Sequence, residues 1–127
     1  MIKVWIVDDD EEMIHAMQLM FKLLDCETRY FFSPRPAAQA LLDKEYPDLL
    51  VLDINMGEVS GIDLLEFVRR RNEWNNLPII MLSTEAADLM VDKALALGAD
   101  AYVTKPVAID ELEEAINKAL FAHGKRK

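Results

Sequence analysis

The chain has 127 residues, 52% of them hydrophobic and 29% charged, with a formal charge of −9. This balance excludes a disordered chain and leaves room for one core-forming domain. No apolar run approaches the roughly 20 residues that a membrane-spanning helix needs, no secretory-leader pattern opens the chain, and the acidic body repels nucleic acid.

In chain order, Val4-Trp5-Ile6-Val7 predicts a strand over 3–8 that stops on Asp8 and Asp9. A helix follows over 11–24, striped by Ile14, Met17, Phe21 and Leu24, with Met13 and Met20 beside them as core or rim packing. A strand over 27–32 leads to a helix over 36–45, with Pro36 in its first turn. Leu49-Leu50-Val51-Leu52 predicts a strand over 48–53 that runs into Asp53. Gly61 opens a helix over 61–73 that turns Leu64, Phe67 and Val68 inward. Its Arg69-Arg70-Arg71 end reads as a solvated terminus favoured by the helix dipole. Ile79-Ile80-Met81-Leu82 predicts a strand over 78–83, meeting Ser83 and Thr84, and a helix over 86–97 stops at Gly98. Ala101-Tyr102-Val103-Thr104 predicts a strand over 100–104 that ends before Lys105. The last helix, 109–121, buries Leu112, Ile116 and Leu120. Ala108 stands where a capping side chain is expected, which weakens that helix end by roughly 1 kcal/mol.

The repeated strand and helix order, with wholly apolar strands, predicts an α/β doubly wound parallel sheet covered by helices on both faces. One domain is expected over 1–122, with 123–127 a basic tail or the start of a linker. Without the three charges of Lys125-Arg126-Lys127 the remainder carries −12. Cys26, the single cysteine, excludes an internal disulfide, reads as a small buried residue and fits a reducing cytoplasm. Trp5 is expected in the core and Trp74 over the loop after the third helix, while His15 and His123 lack metal-ligand spacing.

In open α/β sheets the ligand sits beyond the carboxyl ends of the strands, where strand order reverses. Asp8, Asp9, Asp53, Ser83 and Lys105 all fall at such ends. One aspartate after a strand reads as a helix cap; three of them converging with a lysine read as a site. Hard oxygen donors favour Mg2+, which accepts phosphate oxygens readily. Asp53 ends the most apolar strand and is the nucleophile candidate toward a phosphoryl donor, with Asp8 and Asp9 holding the metal. Lys105 and Ser83 would then stabilise the equatorial oxygens.

Four segments carry a family resemblance. They are Ile6-Val7-Asp8-Asp9-Asp10, Leu52-Asp53-Ile54-Asn55-Met56 with Ser60-Gly61, Ile80-Met81-Leu82-Ser83, and Gly98 through Tyr102 to Lys105-Pro106. Along its whole length the chain resembles the receiver domains of bacterial two-component response regulators, close to the chemotaxis regulator. The resemblance implies a flavodoxin-like five-stranded sheet of order 2-1-3-4-5. It also implies phosphorylation of Asp53, Mg2+ held by Asp8, Asp9, Asp53 and the backbone carbonyl of Asn55, and phosphoryl contacts from Ser83 and Lys105. Tyr102 matches the aromatic switch residue, Asn55 and Glu85 the positions that tune hydrolysis, and Pro106 the proline after a cis bond.

A sensor histidine kinase or phosphotransfer protein would then be the donor, and the domain would catalyse its own phosphorylation and dephosphorylation. Its face of fourth helix, fifth strand and fifth helix would address an output domain or downstream protein, or a second copy of itself. Gly57 replaces a usual proline and Thr84 a usual smaller residue, which bears on rates. The alternative is a phosphate-independent interaction module of the same fold. A phosphatase of the aspartyl-nucleophile type would want an acid where Asn55 stands. A flavin or nucleotide site would want a Gly-rich or Ser/Thr-rich turn where Asp9-Asp10-Glu11 stands.

Overall fold

The computed structural model describes residues 1–56, 60–84 and 88–125, the side chain of Asp88 excepted. Strands β1 (Ile2–Val7), β2 (Cys26–Phe31), β3 (Leu49–Asp53), β4 (Ile79–Ser83) and β5 (Ala101–Thr104) alternate with helices. These are α1 (Glu11–Leu23), α2 (Pro34–Leu42), α3 (Gly61–Arg69), α4 (Asp88–Ala96) and α5 (Ile109–Ala122), with a 3-10 turn at Asn72–Trp74 before β4. All strand pairs are parallel and the sheet order is β2-β1-β3-β4-β5. The order reverses between β1 and β3, so Asp8 and Asp53 stand at the switch point of the sheet.

Strand alternation divides the core into two layers. Val4, Ile6, Leu49, Val51, Ile80 and Leu82 face α1 and α5, meeting Ile14, Met17, Phe21, Leu112 and Ile116. Trp5, Val7, Leu50, Leu52, Ile79 and Met81 face the other helices, meeting Leu41, Leu65, Val68 and Trp74. Both faces of the central strands are thereby covered, which is why they read as unbroken apolar runs. Cys26 is buried and Met13 and Met20 pack at the rim.

Several helix ends differ from the sequence reading. α2 begins at Pro34, two residues before the predicted start, because Ser33 is extended and Pro34 suits the first helical position. α3 ends at Arg69 and Arg71 is extended, so the chain enters the 3-10 turn that seats Trp74 in the core. α5 starts at Ile109, and Ala108 at its N-cap position gives no side-chain cap, as its sequence indicates.

Arg69 departs furthest from its expected solvated role. Its side chain is 12% exposed and it donates to the carbonyls of Leu77 at 2.7 Å and Gly98 at 2.9 Å and to Asp100 Oδ2 at 3.1 Å. One guanidinium fork thus stitches the segments that precede β4 and β5 to the end of α3. Burial pushes its pKa down and the Asp100 charge opposes that shift. Arg69→Met is expected to lower unfolding free energy by about 3 kcal/mol, since it leaves a buried carboxylate and two carbonyls short of donors. Arg70→Met, at a side chain 80% exposed, should change it by no more than about 0.5 kcal/mol. Urea titration distinguishes these outcomes, and equal effects would remove the stitching role.

Candidate phosphoryl and metal site

Parallel register delivers the site. Val7 pairs with Leu52, Asp53 with Leu82 and Ser83 with Thr104, so Asp8, Asp53, Ser83 and Lys105 reach one edge of the sheet. Asp8 is fully buried, Asp53 is 5% exposed and Ser83 2% exposed; Asp9 is exposed. The carboxylates of Asp8, Asp9 and Asp53 offer oxygens within 4.8 Å of one another. The capping role that any of the first three aspartates could have taken falls to Asp10, which accepts from the backbone N–H of Glu12 and Met13. Asp8 and Asp9 are left for the site.

Lys105 reaches between the two buried acids, with Nζ 3.1 Å from Asp8 Oδ2 and 3.3 Å from Asp53 Oδ1. Asp8 Oδ1 accepts the Asp10 N–H at 2.9 Å. Asp8 Oδ2 is buried with no hydrogen-bond partner of good geometry, so its Lys105 contact is a charge contact rather than an aligned hydrogen bond. Asp53 Oδ1 also accepts, weakly, from the Asn55 N–H at 3.4 Å.

The charge balance leaves the site short of cations. Burial first, and the Asp8 charge second, push the Asp53 pKa up to about 6, against the opposing pull of Lys105. Burial would lower the Lys105 pKa, but Asp53 and Asp8 together outweigh it and hold the ammonium above the ordinary lysine range. An under-satisfied buried carboxylate oxygen amid three oxygen-donor side chains fits a hard divalent cation.

Two backbone features shape the site edge. The Lys105–Pro106 bond is cis, and the Lys105 N–H donates to the Ser83 carbonyl at 2.7 Å. A Cβ on Gly61 would lie 2.0 Å from the Asp53 carbonyl oxygen, so the start of α3 presses on the backbone of the candidate nucleophile. The sequence reading took Gly61 only as a helix opening and missed this contact. The signal available to it was a glycine at a helix start, where Ser60 already supplies the capping box.

Tyr102 lies mid-strand with its side chain outward and 48% exposed. It lines a groove of about 330 Å3 between β5 and α5, together with Thr104, Glu111, Glu114 and Lys118. The chemistry is elsewhere, at the acidic edge, so cavity volume does not mark the site. Thr84 is exposed beside Ser83, whereas Glu85 and Gly57 lie outside the described residues.

Comparison with known proteins agrees with this geometry. The family described as the response regulator receiver domain matches residues 4–117. Protein RcaC of Microchaete diplosiphon is 31% identical over 118 residues, which are 93% of this chain and 18% of RcaC. Chemotaxis protein CheY-3 of Vibrio cholerae is 30% identical over 117 residues, covering 92% of this chain and 90% of the relative. The solved receiver domain of the Francisella response regulator 1452 superposes with a TM-score of 0.80 at 31% identity, covering 92% of this chain and 94% of that one. The chain spans about half or less of the length of several other curated relatives. No helix among the described residues is long and apolar enough to cross a membrane. From the matched fold, the acid cluster and the 4–117 alignment, this chain belongs to the response regulator receiver domains, the switch modules of two-component systems.

Proposed function

We propose that the domain is a cytoplasmic signalling switch that takes a phosphoryl group from a histidine kinase or phosphotransfer protein onto Asp53. The observation that carries this reading is Lys105 Nζ held between Asp8 and Asp53 beside three converging carboxylates. That pairing sets a nucleophile, a cation site and a phosphoryl-binding ammonium at one strand edge.

Asp8, Asp9 and Asp53, with the Asn55 backbone carbonyl, would hold Mg2+, which when bound neutralises charge on the phosphoryl oxygens. In the transfer, an Asp53 carboxylate oxygen attacks phosphorus. The donor's P–N bond breaks as the new O–P bond forms, and the departing imidazole nitrogen takes a proton. Lys105 shifts its contact from the carboxylate to a phosphoryl oxygen, and the buried Ser83 hydroxyl donates to another. Moving Ser83 opens space on the β5 flank that the outward ring of Tyr102 enters. The site thereby biases the face of α4, β5 and α5 toward an output domain, a downstream protein or a second copy. Asn55 and Glu85 occupy the sequence positions that set the lifetime of the acyl phosphate.

Beryllium fluoride with Mg2+, a phosphoryl mimic, tests the site without a kinase. Amide resonances of Ser83 and Lys105 are expected to move in slow exchange on adding both, with at most small fast-exchange shifts from Mg2+ alone and none from beryllium fluoride alone. Unchanged resonances under all conditions would reject a phosphoryl site and leave a phosphate-independent interaction module.

A further inference from the structure

At the opposite end of the sheet from Asp53, one carboxylate gathers the starts of the two strands that carry Ser83 and Lys105. Asp100, just before β5, has a side chain 11% exposed, and its Oδ2 accepts the Ile79 N–H of β4 at 2.8 Å and Arg69 Nη2 at 3.1 Å. His123 Nε2 lies 2.9 Å and 3.0 Å from the two Asp100 oxygens. His123 is also the C-cap residue of α5. The Gly124 N–H donates to Phe121 O and the Lys125 N–H to Leu120 O, with Gly124 at φ +68°, a Schellman stop that fixes where the chain leaves the domain. His123 therefore both caps α5 and holds the Asp100 carboxylate.

We infer that the Asp100–His123 contact is a positioning latch that reports phosphorylation of Asp53 at the end of α5, where the chain exits. This rests on the switch reading above. The physical link is short and rigid. β4 runs from Ile79, held by Asp100, to Ser83, and β5 runs from Ala101, beside Asp100, to Thr104, beside Lys105. When Ser83 and Lys105 close on a phosphoryl group, both strands are drawn toward the site at one end. The strain falls at their other end on the Asp100 carboxylate. Of its partners, Ile79 moves with the strands and Arg69 is anchored on four carbonyls besides. The imidazole, bound through one nitrogen to both Asp100 oxygens, is the partner that yields, and its release frees the stop at Gly124 and Lys125. The coupling is reciprocal, so opening the latch favours phosphoryl binding at the site.

Amide exchange and beryllium fluoride titration on the full chain test this. In the wild type, Mg2+ with beryllium fluoride is expected to speed exchange of the Gly124 and Lys125 amides roughly tenfold, within the usual range of coupling between sites. His123→Ala should show that fast exchange without the mimic, show no further response, and bind the mimic roughly fivefold more tightly. His123→Gln, whose amide can still donate to Asp100, should keep the wild-type response. If Ser83 and Lys105 respond while Gly124 and Lys125 do not, the latch fails and the switch stands. A full response in His123→Ala also overturns it. If Ser83 and Lys105 themselves do not respond, the switch reading fails and the latch with it.

Discussion

Asp53→Asn is expected to stabilise the metal-free protein at pH 7 by about 3 kcal/mol while removing its capacity to form an acyl phosphate. The sign follows from the raised Asp53 pKa, about 6 in the fold against 3.8 for the free group. Below about pH 4 both folded and unfolded chains hold the proton, and this residue contributes no pH dependence. Between 3.8 and about 6 the fold keeps a proton that the unfolded chain has released, so stability falls as pH rises. Above about 6 the whole deficit stands, because a charged Asp53 sits buried beside Asp8. Asparagine mimics the neutral carboxyl at every pH. The stability gap between variant and wild type should open from about pH 4 to 6 and then stay level. Millimolar Mg2+ should narrow it by binding the folded wild type preferentially. Urea titrations across this range without metal check the sign, and a gap already full at pH 4 would contradict it.

Gly61→Ala should be the most damaging substitution that removes no functional group. Its Cβ would lie 2.0 Å from the Asp53 carbonyl oxygen and 2.8 Å from the carbonyl carbon. Both are backbone atoms at the end of β3, which no rotamer change can move. α3 or the Asp53 backbone must therefore shift, at a cost of about 3 kcal/mol in unfolding free energy. Phosphorylation by acetyl phosphate should slow at the same time, because the displaced atoms carry the nucleophile. Gly124 gives the contrast. A Cβ there meets nothing within 4 Å, but φ is +68°, so Gly124→Ala should cost only about 1 kcal/mol and not slow phosphorylation. Thermal unfolding and phosphorylation rates of the two variants separate crowding from backbone strain. Equal behaviour would show that the close approach to Asp53 has no consequence.

The sequence reading reached most of the fold and the acidic site because both depend on local pattern. β1, β3 and β4 carry unbroken buried apolar runs and β5 a half-buried one, and the last residue of each or the next one is chemically distinct: Asp8, Asp53, Ser83 and Lys105 all stand at such junctions. A parallel sheet then brings them together whatever the loops do. Arg69 was missed because three consecutive arginines look alike in sequence. Only the first falls on the side of α3 that faces the segments before β4 and β5, and apart from Asp100 its partners are carbonyls, which leave no trace in residue identity. The pairing of Asp100 with His123 joins residues 23 positions apart, and nothing near either one signals the other. Gly61 was read as a helix start, which it is; the crowding against Asp53 depends on how closely α3 approaches β3, a tertiary distance. The α2 boundary moved because Ser33-Pro34 is a better helix start than the later Pro36.

The central claim is that Asp53 accepts a phosphoryl group at a cation-dependent site, and intact-mass measurement after incubation with acetyl phosphate and Mg2+ tests it most directly. The account predicts one phosphoryl adduct on the wild type, lost when EDTA replaces Mg2+ and absent from Asp53→Asn. An adduct that persists in Asp53→Asn, or one that forms equally well in EDTA, would contradict it.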